Sequence, residues 1–413
     1  MSRAACFILS FCMLALPATA DFHKKAPVKV DPKKDGRYVF DISKLVWPNP
    51  PAMARIRYMN QLTGEKIDWD KFASLKKKHK QGWMDRIAGD KPLEQRKDLK
   101  IPYQLIRVYG MAYDSKGRLY AADQGVSAIF VFDLESGSVS LIRNRYEASF
   151  GMINGLAIDD DDRVFVSDTK LRHITVLNPD HKQVTSFGTD QLQSPAGLAI
   201  DTANRLLYVV DTQRDQVLVY SPDTFKLLRT IGTTGKRHTL SGPGQFSLPT
   251  NAAVDSEGNL YVTDTLNNRL EIFDASGEFV SEIGQPGDGP GFFARPKGIA
   301  IDPDGHIWVV DSVQQRVQVF DNTGRLLIYF GQPGGKPGQF NEAYGIAIDP
   351  KGRVAVSEQY IGRVQLFRYV NDAEAAALKA QKDAEEAKGT RPGSAPPSSG
   401  GGTKGSGDTG KNP

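Results

Sequence analysis

Two series of carboxylates recur along this 413-residue chain, and carboxylates in pairs are what general acid–base chemistry and hard-cation binding employ. The first series stands at Asp114, Asp159, Asp201, Asp255, Asp302 and Asp349, in steps of 45, 42, 54, 47 and 47 residues. The second stands at Asp123, Asp168, Asp211, Asp264, Asp311 and Glu358. A reaction needs its acid and base once, whereas a group that returns in every unit belongs to the frame. Both series are therefore assigned to bracing the turns and loops in which they lie. The run Asp159-Asp160-Asp161-Asp162 invites a calcium reading, but it lacks the alternating ligand spacing of an EF-type loop and falls in an ordinary turn.

The carboxylates punctuate a repeated pattern. An apolar strand ends in the first Asp, a tight turn follows, a second strand ends in the second acid, and a third closes in an aromatic residue. GIAIDPDGHIWVVDSVQQRVQVFD, from Gly298, and GIAIDPKGRVAVSEQYIGRVQLF, from Gly345, are the clearest copies. A period near 45 means one supersecondary unit per repeat. Alternation within strands (Val317 and Val319 against Gln318) fits a half-buried antiparallel sheet. Turns such as Asp302-Pro303-Asp304-Gly305 and Asp255-Ser256-Glu257-Gly258 put Pro or Ser early and Gly late. Four strands per unit and six units predict an all-β, six-bladed β-propeller over residues 108–370. The last unit stops after three strands, at Val370. An orphan strand at 54–59 is expected to supply the fourth, so that both ends of the propeller meet in one blade.

Stretches such as DSEGNLYVTDTLNNRLEIFD (255–274) and DPDGHIWVVDSVQQRVQVFD (302–321) resemble NHL repeats, with Gly-x-Ala-x-Asp, Leu-Tyr-Val-x-Asp and Arg-x-x-Val-Phe landmarks in register over residues 108–368. The Arg before the third strand is present at Arg269, Arg316 and Arg363, while Ala128, His173 and Gln216 replace it elsewhere. The resemblance implies a scaffold for binding, with a metal-dependent lyase or hydrolase at the axial opening as the alternative. Some members of the family are lyases that need histidines converging on a metal.

Strand polarity sorts the loops. The connection into the first strand and the loop between strands two and three share one face, and the short turns share the other. Long loops on a rigid frame are where binding is found. On the loop-rich face, the residues just before each first strand should ring the axial opening: Tyr109, Asn154, Ala196, Asn251, Lys297 and Tyr344. They differ where the frame repeats. The longest connection, 232–250, adds Lys236, Arg237 and His238. Tyr109, Asn154, Asn251, Lys297, Tyr344, Lys236 and Arg237 are the candidate contacts.

Catalytic residues are not assigned. The mature chain offers only His23, His79, His173, His181, His238 and His306, and His181 and His306 fall on the turn face. His173 and His238 remain as metal candidates, and two histidines without a third ligand make a poor zinc site. No Gly-x-Ser-x-Gly elbow or phosphate-cradling loop is present. No cofactor is expected, and structural calcium or zinc finds no support.

Residues 1–20 read as a secretory signal peptide: Arg3, an apolar run from Cys6 to Leu16, then Ala18-Thr19-Ala20. Both cysteines, Cys6 and Cys12, lie within it. The protein is thus expected to be exported, periplasmic or extracellular. A basic arm (21–107) follows: residues 21–110 hold 21 Lys and Arg against 11 Asp and Glu, a net of +10, whereas 111–370 carry −7. Lysines within 71–87 form a short helical insertion with Phe72, Trp83 and Met84, whose alternative to packing on the body is peripheral contact with anionic membrane. Residues 371–413 read as a polar helix-prone stretch and then a disordered Gly/Ser/Pro tail. An acidic body does not suit nucleic acid. The expected partner is an envelope protein, a peptide or a small ligand, bound by a monomeric propeller.

Overall fold

Short apolar strands joined by tight turns pair with their sequence neighbours, and in the computed structural model they build six antiparallel sheets. The structure describes residues 42–49, 52–67, 102–234, 242–371, 373–377 and 379–380. Blade I consists of Val108–Tyr113, Leu119–Asp123, Ala128–Phe132 and Val139–Arg143. Blade II runs through Ile153–Ile158, Val164–Asp168, His173–Leu177 and Gln183–Phe187, and blade III through Pro195–Asp201, Leu206–Asp211, Gln216–Tyr220 and Leu227–Ile231. Blade IV contains Pro249–Val254, Leu260–Asp264, Arg269–Phe273 and Phe279–Ile283; blade V contains Pro296–Ile301, Ile307–Asp311, Arg316–Phe320 and Leu326–Phe330. Blade VI has Ala343–Ile348, Arg353–Glu358 and Arg363–Tyr369.

The fourth strand of blade VI comes from the N-terminal side. Ile56–Leu62 pairs antiparallel with Arg363–Tyr369, from Ile56 opposite Tyr369 to Leu62 opposite Val364. The strand begins two residues later and runs three residues further than the sequence suggests. A fifth strand, Val46–Trp47, pairs outside it. Ile56, Tyr58 and Trp47 join Phe330 and Phe367 in one core, with the Tyr58 and Phe367 rings 5.5 Å apart, edge to face. The chain then leaves the blade and returns at the same place: Glu65 N–H donates to Tyr103 O at 2.8 Å and Leu105 N–H to Thr63 O at 2.8 Å. Residues 1–41, the 71–87 segment and 381–413 lie outside the described residues.

Second and third strands are buried on both faces because each blade is sandwiched between two others. Six apolar clusters fill the six blade interfaces, one for each. Fourth strands face outward and are largely exposed in blades II to V.

The inner strands close the ring through glycine. A Cβ on Gly110, Gly155, Gly298 or Gly345 would lie 2.3–2.5 Å from a carbonyl oxygen of the next blade's inner strand. Gly197 meets Asn251 and the Thr250 carbonyl in the same way. The glycine of each Gly-x-Ala-x-Asp landmark is there for close backbone approach, and blade IV carries Asn251 instead.

One buried ionic group is balanced unusually. Glu271 is fully buried in the third strand of blade IV, 2.6 Å from the Arg269 guanidinium. Burial pushes its carboxyl up to about 7; Arg269 opposes the shift, and Asp264 adds to it. A raised acid pKa means that the folded protein binds the proton more tightly than the unfolded chain. Stability therefore falls as pH rises from about 4.5 to about 7, by up to about 3 kcal/mol. Asp264, shifted in the same direction by burial, adds to the slope. Denaturant unfolding of the wild type and Glu271→Gln across this window is expected to give a distinctly flatter profile for the variant. Identical slopes would remove Glu271 as the cause.

Candidate functional site

On the loop-rich face the second acids are consumed by backbone. Asp123 accepts from the N–H groups of Ile106, Arg107, Gly125 and Val126, and Asp311 from those of Ala294, Arg295, Val313 and Gln314. Asp168 and Asp211 tie the incoming connection to their own loop in the same manner. The arginine brace is more varied than the motif suggests. Arg269 reaches Asp264, and Arg363 reaches Glu358 together with the carbonyls of Gly335 and Gln339. Arg316 instead bonds Gln314 Oε1 at 2.6 Å and the Asp288 carbonyl. On the opposite face the first acids close their turns, as Asp302 does with His306, Trp308 and the Asp304 N–H. Carboxylates so fully engaged are structural.

Five of the six positions that differ between repeats directly precede an inner-strand glycine, whereas Asn251 takes the glycine's own place in blade IV and Thr250 is the residue in register with the other five. Tyr109, Asn154, Asn251 and Lys297 are half-buried, Ala196 is buried, and Tyr344 is only 6% exposed. The Tyr109 and Tyr344 rings sit 4.7 Å apart, edge to face, and the Lys297 ammonium lies 4.9 Å from the centre of the Tyr344 ring. Burial raises the Tyr344 phenol well above its ordinary range; Tyr109 adds to this, and a hydrogen bond with the Asn154 amide opposes it. Tyr344 of blade VI thus reaches Asn154 of blade II and forms the floor of the opening. Burial lowers the Lys297 amine below its ordinary value, helped by Arg295 and opposed by Glu342. Among the described residues the Lys297 ammonium makes no hydrogen bond or ion pair. Two further buried polar atoms here are unpartnered, Asn154 Oδ1 and Asn251 Nδ2.

Hydroxyl side chains set this ring, and the reading of the sequence passed over them. The residue before the second acid is Ser167, Thr263 or Ser357 in blades II, IV and VI, but Ala122, Val210 or Val310 in blades I, III and V. Each hydroxyl donates to the ring residue of the next blade: Ser167 to Ala196 O at 2.5 Å, Thr263 to Lys297 O at 2.9 Å and Ser357 to Tyr109 O at 2.9 Å. The same oxygens accept from Gly155, Asn251 and Gly345 N–H. A hydroxyl in alternate copies was the available signal.

The remaining candidates are not brought to the axis. Lys236, Arg237 and His238 lie outside the described residues. His173 begins the third strand of blade II, with Nε2 3.2 Å from Thr175 Oγ1, and burial lowers its pKa against the pull of Asp168. Groups of three ligand-type side chains do occur among the described residues. Asp302 with Asp304 and His306, and Asp159 with Asp160 and Asp161, both stand in turns of the opposite face, away from His173. Among the described residues no helix is long and apolar enough to cross a membrane.

Comparison with known proteins agrees with this architecture. A family model described as a 6-bladed beta-propeller (DUF5128) matches residues 250–329. NHL repeat-containing protein 2 of Gallus gallus is 26% identical over 242 residues, which cover 56% of this chain and 29% of that protein. Peptidyl-glycine alpha-amidating monooxygenase of Mus musculus is 27% identical over 236 residues, covering 49% of this chain and 24% of that protein. The chain thus spans less than a third of the length of these curated relatives. A crystal structure of a structural-genomics protein of unknown function from Bacteroides thetaiotaomicron superposes with a TM-score of 0.53 at 17% identity. The aligned region is 64% of this chain and 70% of that one, and it shows the shared fold.

Proposed function

We propose, from the premise that this chain is an NHL-type six-bladed β-propeller, that it is an exported scaffold whose loop-rich face binds a ligand at the axial opening. The observation that carries this reading is the contrast between the repeated and the individual residues. Repeated carboxylates are saturated by backbone and arginine, whereas the Lys297 ammonium and Asn154 Oδ1 stand unpartnered beside Tyr344 of the Tyr109–Tyr344 pair, and Asn251 Nδ2 is unpartnered in the blade next to that of Lys297. Buried polar atoms without partners cost folding free energy, and a ligand that bonds them recovers it. The partner is an envelope protein, a peptide or a small molecule. Export rests on the 1–20 segment and is checked by fractionation of cells.

Binding is tested by passing envelope extract over immobilised wild type, Tyr109→Ala and Asp304→Asn, and identifying what is retained. Tyr109 lines the opening, while Asp304 is exposed on the opposite face. A molecule held by the wild type and by Asp304→Asn, but lost from Tyr109→Ala, is the expected result. Retention that survives Tyr109→Ala, or that disappears with Asp304→Asn, would place binding elsewhere.

A further inference from the structure

The Lys297 ammonium stands apart from the other sequestered cations. Arg269, Arg353 and Arg363, each buried, are paired with Asp264 and Glu271, with Asp349 and with Glu358 respectively. Lys297 has no carboxylate against it; its neighbours are the face of Tyr344 and, through space, Arg295 and Glu342. A half-buried ammonium in that position is short of a counter-charge. Asn154, hydrogen-bonded to Tyr344, and Asn251, tied to the Lys297 backbone through Thr263, add polar atoms of defined kinds. Asn251 Nδ2 is a donor and Asn154 Oδ1 an acceptor, both buried and unpartnered. The Thr263 hydroxyl bonds the backbone of both Asn251 and Lys297, which holds blades IV and V in register there.

Charge over the two faces agrees in sign. On the turn face arginine is paired: Arg118 with Asp114, Arg163 with Asp159 and Asp223, Arg205 with Asp160 and Asp223, and Arg325 with Asp321. On the loop-rich face Arg107, Arg145, Lys170, Arg172, Arg295 and Lys336 are exposed without an ion pair among the described residues. Glu147, Asp190, Asp288 and Glu342 offset them only in part. A body with a net charge of −7 therefore carries an excess of unpaired cations on its loop-rich face among the described residues, which draws anions to that face.

We infer that the axial opening is a carboxylate subsite, in which the Lys297 ammonium and the Asn251 amide take the two oxygens of a small hydroxycarboxylate while its hydroxyl donates to Asn154 Oδ1. This rests on the reading of the loop-rich face as the binding face and specifies its ligand. One ammonium and one amide match the two oxygens of a carboxylate better than the three of a phosphate, which the fork of an arginine would suit. The tyrosine faces supply the apolar wall for the carbon skeleton.

The test uses the intact protein with three probes, malate, succinate and inorganic phosphate, measured by calorimetric titration against wild type, Lys297→Met and Asn154→Leu. Wild type is expected to prefer malate over succinate and both over phosphate. Lys297→Met should weaken malate binding about tenfold or more, since a hydrogen-bonded charge is removed. Its ligand-free melting temperature should stay level or rise, because an uncompensated charge is lost, and this serves as the check on folding. Asn154→Leu should abolish the difference between malate and succinate. Malate binding equal in wild type and Lys297→Met, or phosphate preferred to both acids, overturns the inference. Absence of carboxylate binding, together with a retained molecule that Tyr109→Ala releases, sinks the subsite but leaves the binding face standing. If neither assay shows binding, both readings fall.

Discussion

Removing residues 1–65 is expected to bring the protein to the edge of unfolding, whereas removing 371–413 should shift its melting temperature only slightly. The first deletion takes away the fourth and fifth strands of blade VI and exposes the third strand, Arg363–Tyr369, along its whole edge. It also strips Ile56, Tyr58 and Trp47 from the cluster around Phe330 and Phe367. At about 1.5–3 kcal/mol per large apolar side chain, three such losses approach the whole stability of an ordinary domain. The second deletion removes one buried side chain among the described residues, Ala375. Thermal melts of the two truncations decide the matter. Equal melting temperatures would mean that blade VI does not depend on its borrowed strands.

The second large effect is expected at the inner ring. Gly298→Ala puts a Cβ 2.4 Å from the Tyr344 carbonyl oxygen and 3.0 Å from Gly345 Cα. Those obstacles are backbone atoms of a paired strand, so no side chain can swing aside. Blades V and VI must separate, at a cost of about 3 kcal/mol. The displacement would also part Lys297 from Tyr344, since each directly precedes one of the two glycines. Gly298→Ala should therefore lower the urea midpoint substantially, while Asn251→Gly, at the matching position in blade IV, removes a side chain that this blade already accommodates and should cost about 1 kcal/mol or less. Equal midpoints for wild type and Gly298→Ala would show that the close approach is not limiting.

The part of the fold that was legible beforehand is the part written locally. Strand alternation, the Asp-Pro-x-Gly turns and a period near 45 are all properties of a few neighbouring residues, and they yielded six blades and the missing fourth strand. The assignment of recurring acids to the frame came from their repetition alone, and Asp123 and Asp311, each engaged by four backbone N–H groups, bear it out. Val46–Trp47 could not be anticipated. Two residues carry no periodicity, and their pairing depends on Ile56–Leu62 already being docked on blade VI. The alternation of Ser167, Thr263 and Ser357 was present to be read. Its meaning was not, because a hydroxyl in one blade acquires its acceptor from the next only when the sheets are packed side by side.

Repetition and turn chemistry thus determine, from the chain alone, the number of blades, the face that carries long loops and the residues that differ around the axis. Only closure of the ring decides what those residues do. It brings Tyr344 of the last blade across to Asn154 of the second and to Tyr109 of the first, and it leaves the Lys297 ammonium without a carboxylate. The reason is physical. Backbone pairing is satisfied by neighbours in sequence, whereas the partner of an axial side chain comes from another blade, as far as 235 residues away between Tyr109 and Tyr344.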